Sequence, residues 1–139
     1  MSRIIAIGTD LHKVTRFSEI LTRNGLNSFK TKRLSQKILN PKYELPNFEK
    51  NLNENNLNKC VSILSGSWCV KEAIFKTLDF ENQKNFKMSD WFKINNLNGL
   101  PIIGNENYMK LTLKEEEFLV SISHDGDYII STVLRQIIK

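Results

Sequence analysis

The stretch SWCVKEAIFKTL, residues 67–78, places Lys71, Glu72 and Lys76 inside an apolar run with helical spacing. Glu72 and Lys76 are four apart and share a helix face, and most such pairs are exposed ion pairs worth about 0.2–0.5 kcal/mol. Trp68, four residues before Glu72, makes that face less plainly a solvated one. A second carboxylate, Asp10, directly follows the apolar run that ends IGTD. Alone, Asp10 is more simply a turn or capping residue. Two carboxylates with two ammonium groups would suit a hard cation clamped on a phosphate. Magnesium takes one or two protein carboxylates and fills its other positions with phosphate oxygens and water. The lysines would neutralise the phosphate charge that the metal leaves uncovered.

Other groups carry less. Ser123-His124-Asp125 has the composition of a hydrolytic triad, but three consecutive residues of an extended strand point to alternating faces and cannot line up as nucleophile, base and orienter. His12 is read as a surface residue. Asn98-Gly99-Leu100-Pro101 forms a tight turn. Cys60 and Cys69 are the only cysteines and read as reduced thiols at the edge of the core, with no nearby His to make a zinc site. There is no Gly-rich phosphate loop of the Walker or Rossmann type.

The elements that must position these residues follow from the patterning. Ile4–Ile7 reads as a short buried strand closed by Gly8 and Thr9. Thr15 caps a helix with Phe17, Ile20 and Leu21 on one face and Gly25 as its stop. Arg16 and Arg23, seven apart, share another face of it. Residues 47–58, NFEKNLNENNLN, read as an exposed loop or frayed helix end. The helix of residues 67–78 follows. DWFKI and LPII are strands across an NNLNG turn, and FLVSISH and YIISTVL form a hairpin about DGD. The fold class is α+β: two helices on a mostly antiparallel sheet, in one domain spanning residues 1–139.

The composition bounds the partners. The chain has 139 residues, 40% hydrophobic and 25% charged, with a net charge of +5, a profile of soluble globular proteins. Seven basic residues against one acid lie between Lys13 and Lys37, which favours an anionic partner. The apolar runs are far short of a membrane span. The N-terminus reaches Asp10 too soon for a signal peptide, and it is not a recognisable transit peptide.

In order along the chain, IGTD, an Arg six residues after its Asp, KILNPKYE, WCVKEAIFK, NGLP and VSISHD resemble the holo-[acyl-carrier-protein] synthase family. These are small 4′-phosphopantetheinyl transferases, and the likeness spans residues 4 to 134. It implies the fold of that family and transfer of the phosphopantetheine arm from coenzyme A to a serine of apo acyl carrier protein, releasing adenosine 3′,5′-bisphosphate. It also implies magnesium (Mg2+) on Asp10 and Glu72, with Lys76 beside them as a catalytic group. Lys71 and Lys76 would lie along the coenzyme A phosphates. Ser123 and His124, with the Gly99 and Pro101 turn, would line the nucleotide pocket. Arg16 and Arg23 would dock the acidic carrier protein. The serine proton could pass to Glu72, to Asp10 or to a metal-bound water, and the sequence does not choose among them.

The departures fall at the adenosine end. Leu100 stands where the family commonly has a basic residue between Gly and Pro, Thr77-Leu78-Asp79-Phe80 replaces a usual Gly, and Lys37 replaces an Arg. Trp68, DWF and the Asn-rich insertion are similar to fungal mitochondrial members, which implies a mitochondrial address, with the cytoplasm as the alternative. Bacterial relatives form trimers with active sites between subunits, so a homotrimer is an implied assembly. Two other classes of function stand beside this one. A basic nucleic-acid-binding domain would explain the charge but leaves Asp10, Glu72 and Ser123-His124 without purpose. A degenerate family member acting as a binding protein would not need every polar residue at the metal end.

Overall fold

A computed structural model describes residues 2–111 and 115–138. Its centre is a 19-residue helix, α4 (Leu57–Phe75), started by Asn56, whose side chain accepts a hydrogen bond from the Lys59 amide at 3.1 Å. Cys60, Leu64, Cys69, Val70, Ala73 and Ile74 are all fully buried along it. A helix apolar on nearly every side is one enclosed by neighbours. On one side lies a three-stranded antiparallel sheet of β1 (Ser2–Lys13), β4 (Glu116–Asp125) and β5 (Tyr128–Ile138), ordered β1-β5-β4. The other sides are covered by α1 (Thr15–Asn24), α2 (Phe29–Ile38) and α3 (Leu45–Asn53). A separate two-stranded sheet pairs β2 (Phe92–Asn95) with β3 (Pro101–Gly104). Short helices α5 (Phe80–Lys84) and α6 (Glu106–Leu111) complete the α+β architecture. Among the described residues no helix is long and apolar enough to cross a membrane.

The hairpins and α1 fall where the patterning sets them, with Gly25 ending α1, but Thr15 is the first helical residue and not the cap, and Val14 before it makes no side-chain capping bond. Several expectations are corrected. The helices around the sheet number six among the described residues, not two. β1 does not end at Gly8, because β5 pairs with it from Ser2 opposite Ile138 to Lys13 opposite Tyr128. Alternation along the longer strand turns Leu11 outward and His12 inward, so His12 is 4% exposed and packs on the Phe17 ring at 5.1 Å. The Asn-rich stretch is mostly helix: Leu45, Phe48 and Leu52 make an apolar stripe, Phe48 is fully buried, and Asn51 Nδ2 donates to Asn47 O at 2.8 Å. Burial of that stripe outweighs the weak helix propensity of Asn.

Gly8 explains how β1 can lie so close to α4. A Cβ there would stand 2.2 Å from the Ala73 carbonyl oxygen and 3.1 Å from Lys76 Cβ. Only glycine allows this approach.

Candidate active site

Asp10 leaves β1 opposite Ser131 of β5, and Glu72 and Lys76 leave the last turns of α4. The close contact at Gly8 brings the two elements together. Lys76 Nζ donates to Thr9 O at 2.7 Å and to Asp10 Oδ1 at 3.2 Å. The helix pair anticipated between Glu72 and Lys76 therefore gives way to a bridge from α4 to β1. Cys69 adds a second stitch: its Sγ donates to Asp10 O at 3.4 Å, while Ser131 Oγ donates to Cys69 O at 2.8 Å. Burial pushes the Cys69 thiol up to about 11, so it serves as a packed donor and not as a nucleophile.

Glu72 is half-buried, and its carboxylate makes no hydrogen bond or ion pair among the described residues. Burial, and then the nearby Asp10 carboxylate, hold its carboxyl above the usual range, partly offset by Lys76 and Arg16. A half-buried carboxyl repelled by a second one, with no partner of its own, is a site short of positive charge. Arg16 stands at the start of α1 with its guanidinium 5.0 Å from the centre of the Trp68 ring. Trp68 is thus a platform for an arginine beside the two acids.

Arg23 lies in the last turn of α1, exposed like Arg16. Ser123 and His124 are exposed at the end of β4, opposite Ile130 and Ile129. His124 lines an open cavity of about 370 Å³ with Thr15, Ser18, Asn58, Ser62 and Asp127. Gly99 and Pro101 hold the turn of the small sheet. The Gly99 amide donates to Asn96 O at 2.9 Å, Asn96 Oδ1 accepts from the amides of Asn98 and Leu100, and Gly99 has φ +79°. Within the chain, no hydrogen bond or ion pair among the described residues joins either group to Asp10, Glu72 or Lys76.

Lys71 is elsewhere. Its side chain is fully buried, with Nζ donating to Ile38 O and to Glu44 Oε1, both at 2.5 Å. The expectation that Lys71 lies along a ligand's phosphates is corrected on this geometry. Adjacent helix residues project about 100° apart, so Glu72 facing the cleft sends Lys71 into the interior. Glu44 Oε1 also accepts from the Asn40 amide at 2.8 Å, and Oε2 accepts from Ser67 Oγ at 2.9 Å and the Lys93 amide at 3.1 Å. Glu44 lay in the quoted KILNPKYE without a role; a buried Lys in a helix should have prompted a search for its acid.

The model of the 4′-phosphopantetheinyl transferase superfamily matches residues 6–133. The chain belongs to this superfamily. A holo-[acyl-carrier-protein] synthase of Mycoplasma mobile is 29% identical to it over 136 residues, 98% of this chain and 94% of that one. A holo-[acyl-carrier-protein] synthase of Ehrlichia canis is 28% identical over 131 residues, 94% of this chain and 93% of that one. The structure of a Plasmodium yoelii acyl carrier protein synthase with ADP bound is 27% identical, covers 100% of this chain and 99% of its own, and superposes with a TM-score of 0.75. The carboxylate pair and Lys76 of this transferase therefore sit on the fold of a phosphopantetheinyl transfer enzyme.

Proposed function

We propose that the chain transfers 4′-phosphopantetheine from coenzyme A to a serine of apo acyl carrier protein, at Asp10, Glu72 and Lys76, with magnesium as cofactor. The observation that carries this reading is the half-buried, unpartnered Glu72 carboxyl facing Asp10, with Lys76 bonded alongside. The donor set fits a magnesium ion: Asp10 and Glu72 offer hard carboxylate oxygens, and magnesium takes only one or two protein carboxylates. Phosphate oxygens and water would fill the positions that two carboxylates leave open. When bound, the metal would neutralise charge on the phosphoryl oxygens.

The chain's own residues do the rest. The serine oxygen forms a bond to the β-phosphorus, the bond from that phosphorus to the leaving adenosine 3′,5′-bisphosphate breaks, and the serine proton passes to a base. Lys76, anchored by Thr9 O, keeps a positive charge beside the reacting phosphate without free rotation of its stem, which is electrostatic preorganisation. Glu72, held toward its neutral range, is a fitting proton acceptor. Arg16 and Arg23 offer positive charge on one helix to an acidic carrier.

The outer face of the β1-β5-β4 sheet supports a trimeric assembly. Ile7 is 61% exposed and Leu11 63%, with Leu119 and Ile130 also exposed on strands paired in register with them. These apolar rows, separated by the exposed Thr9 and Thr132, call for a covering surface. A second copy would also explain why Ser123, His124 and the Gly99–Pro101 turn do not reach Asp10 within one chain.

Intact mass spectrometry tests the reaction. With coenzyme A, magnesium and apo acyl carrier protein, the carrier gains the phosphopantetheine mass, and EDTA abolishes the gain. An unchanged carrier mass, with coenzyme A bound but not consumed, would point to a binding protein.

A further inference from the structure

On the far side of α4 from Glu72, an open cavity of about 310 Å³ lies between α3, α4 and β2. Its lining includes Lys59, Lys93, Asn47, Ser62 and Asn95, and neither Asp10, Glu72 nor Lys76. Ser67, also in the lining, is five residues from Glu72, and that spacing puts the two on well-separated faces of the helix.

Charge accounting in this cavity leaves a surplus. Glu44 is its only acid among the described residues, and an ionised carboxylate offers about four lone-pair sites. All four are taken: by Lys71 Nζ, by the amides of Asn40 and Lys93, and by Ser67 Oγ. Lys71, fully buried, answers the formal charge of Glu44. That leaves the Lys93 ammonium in the cavity without a hydrogen bond or ion pair among the described residues. The ammonium lies against α4 at Gly66, where a Cβ would stand 3.8 Å from Lys93 Nζ, at ordinary contact. Burial drives the Lys93 ammonium below its usual range, and Lys59 lowers it further, against the pull of Glu44. Two lysines with one neutralised acid form a pocket of net positive charge, and Asn47, Ser62 and Asn95 stand around it with further donors.

We infer that this cavity is a second anion site, which takes a tetrahedral phosphate dianion, free or as a phosphomonoester, between Lys93 and Lys59. A bound phosphate supplies the counter-charge that Glu44 cannot, and charge-assisted hydrogen bonds from a partly desolvated ammonium are the strong ones. The inference does not depend on the transferase reading: Lys59 and Lys93 have no part in it, and this cavity meets the His124 cavity only at Ser62.

The test is an amide-resolved NMR titration at fixed ionic strength, with inorganic phosphate as one probe and adenosine 3′-monophosphate as the other. The amides of Gly66 and Asn95 shift saturably with one probe or both, and the tighter probe tells free phosphate from monoester. Lys93→Met weakens that binding by about tenfold or more, the loss of one charge-assisted contact. Lys93→Arg keeps it. Lys59→Met, at an exposed position that does not test the fold, also weakens it. Shifts that rise linearly with both probes, or that are the same in wild type and Lys59→Met, would overturn the inference.

Discussion

Replacing Gly8 by alanine tests whether the spacing of β1 and α4 sets the active site. The added carbon would lie 2.2 Å from the Ala73 carbonyl oxygen, where ordinary contact begins at 3.4 Å. The obstacle is backbone, so the strand and helix must part by roughly 1 Å, since close-packed interiors offer no slack. The same movement separates Asp10 from Glu72 and Lys76, because the three residues come from those two elements. A misplacement of about 1 Å costs on the order of 10²-fold in rate, so kcat/KM for carrier modification should fall by about that factor. Overpacking costs about 1–3 kcal/mol of stability, offset in part by the ~0.5–1 kcal/mol recovered when a strand glycine becomes alanine. Phe48→Leu is the control, a fully buried α3 residue remote from the site. It should lose about 1–2 kcal/mol and keep its turnover when assayed below its melting temperature. Mass-spectrometric rates and thermal melts of both variants decide the matter. A Gly8→Ala enzyme with kcat/KM within twofold of wild type would refute the reasoning.

Glu72→Gln should melt like wild type, since the carboxyl holds no hydrogen bond, yet lose on the order of 10²–10³ in rate. Equal turnover would remove Glu72 from the mechanism. Lys71→Met should cost about 3–5 kcal/mol by leaving Glu44 buried without its counter-ion, and Lys71→Met with Glu44→Gln should restore part of that, both read by denaturant melts. Burial lowers the His12 imidazole below its usual 6.5, and its Nε2 has no hydrogen-bond partner among the described residues. The unfolded chain therefore binds this proton first as pH falls below that value. The stability that His12 contributes is full above 6.5 and is lost as pH falls toward the depressed value. His12→Leu should flatten that part of the stability–pH curve, and an unchanged curve would show that His12 is not its source.

The Asp10, Glu72 and Lys76 group was legible because each lies in a short motif whose residue types match phosphate chemistry. Lys71 was misread for a reason inside the same motif. KEA puts a lysine next to the glutamate in sequence, but a helix sends neighbours to different faces, and only the distant Glu44 reveals which face is inside. His12 was misplaced because the end of β1 is set by pairing with β5, more than a hundred residues later. Asn-rich α3 was missed because Phe48 finds its burial in long-range contacts that no local propensity records. Gly8 was read as a strand end, whereas its meaning is the helix lying against it.

The Glu44 carboxylate has a consequence for how the molecule opens. It receives hydrogen bonds from Asn40, Ser67, Lys71 and Lys93, groups that are scattered along the chain and meet only when α2, α4 and β2 are docked. Detaching the β2–β3 hairpin alone would strand one of those acceptor sites in a dry interior. The hairpin should therefore not fray on its own. The amide hydrogens of Asn40 and Lys93 should exchange with solvent at one shared rate, together with the centre of α4, as a single cooperative unit. The Gly99–Pro101 turn at the tip of that hairpin is then carried on a rigid arm, and whatever it meets must fit it as it stands.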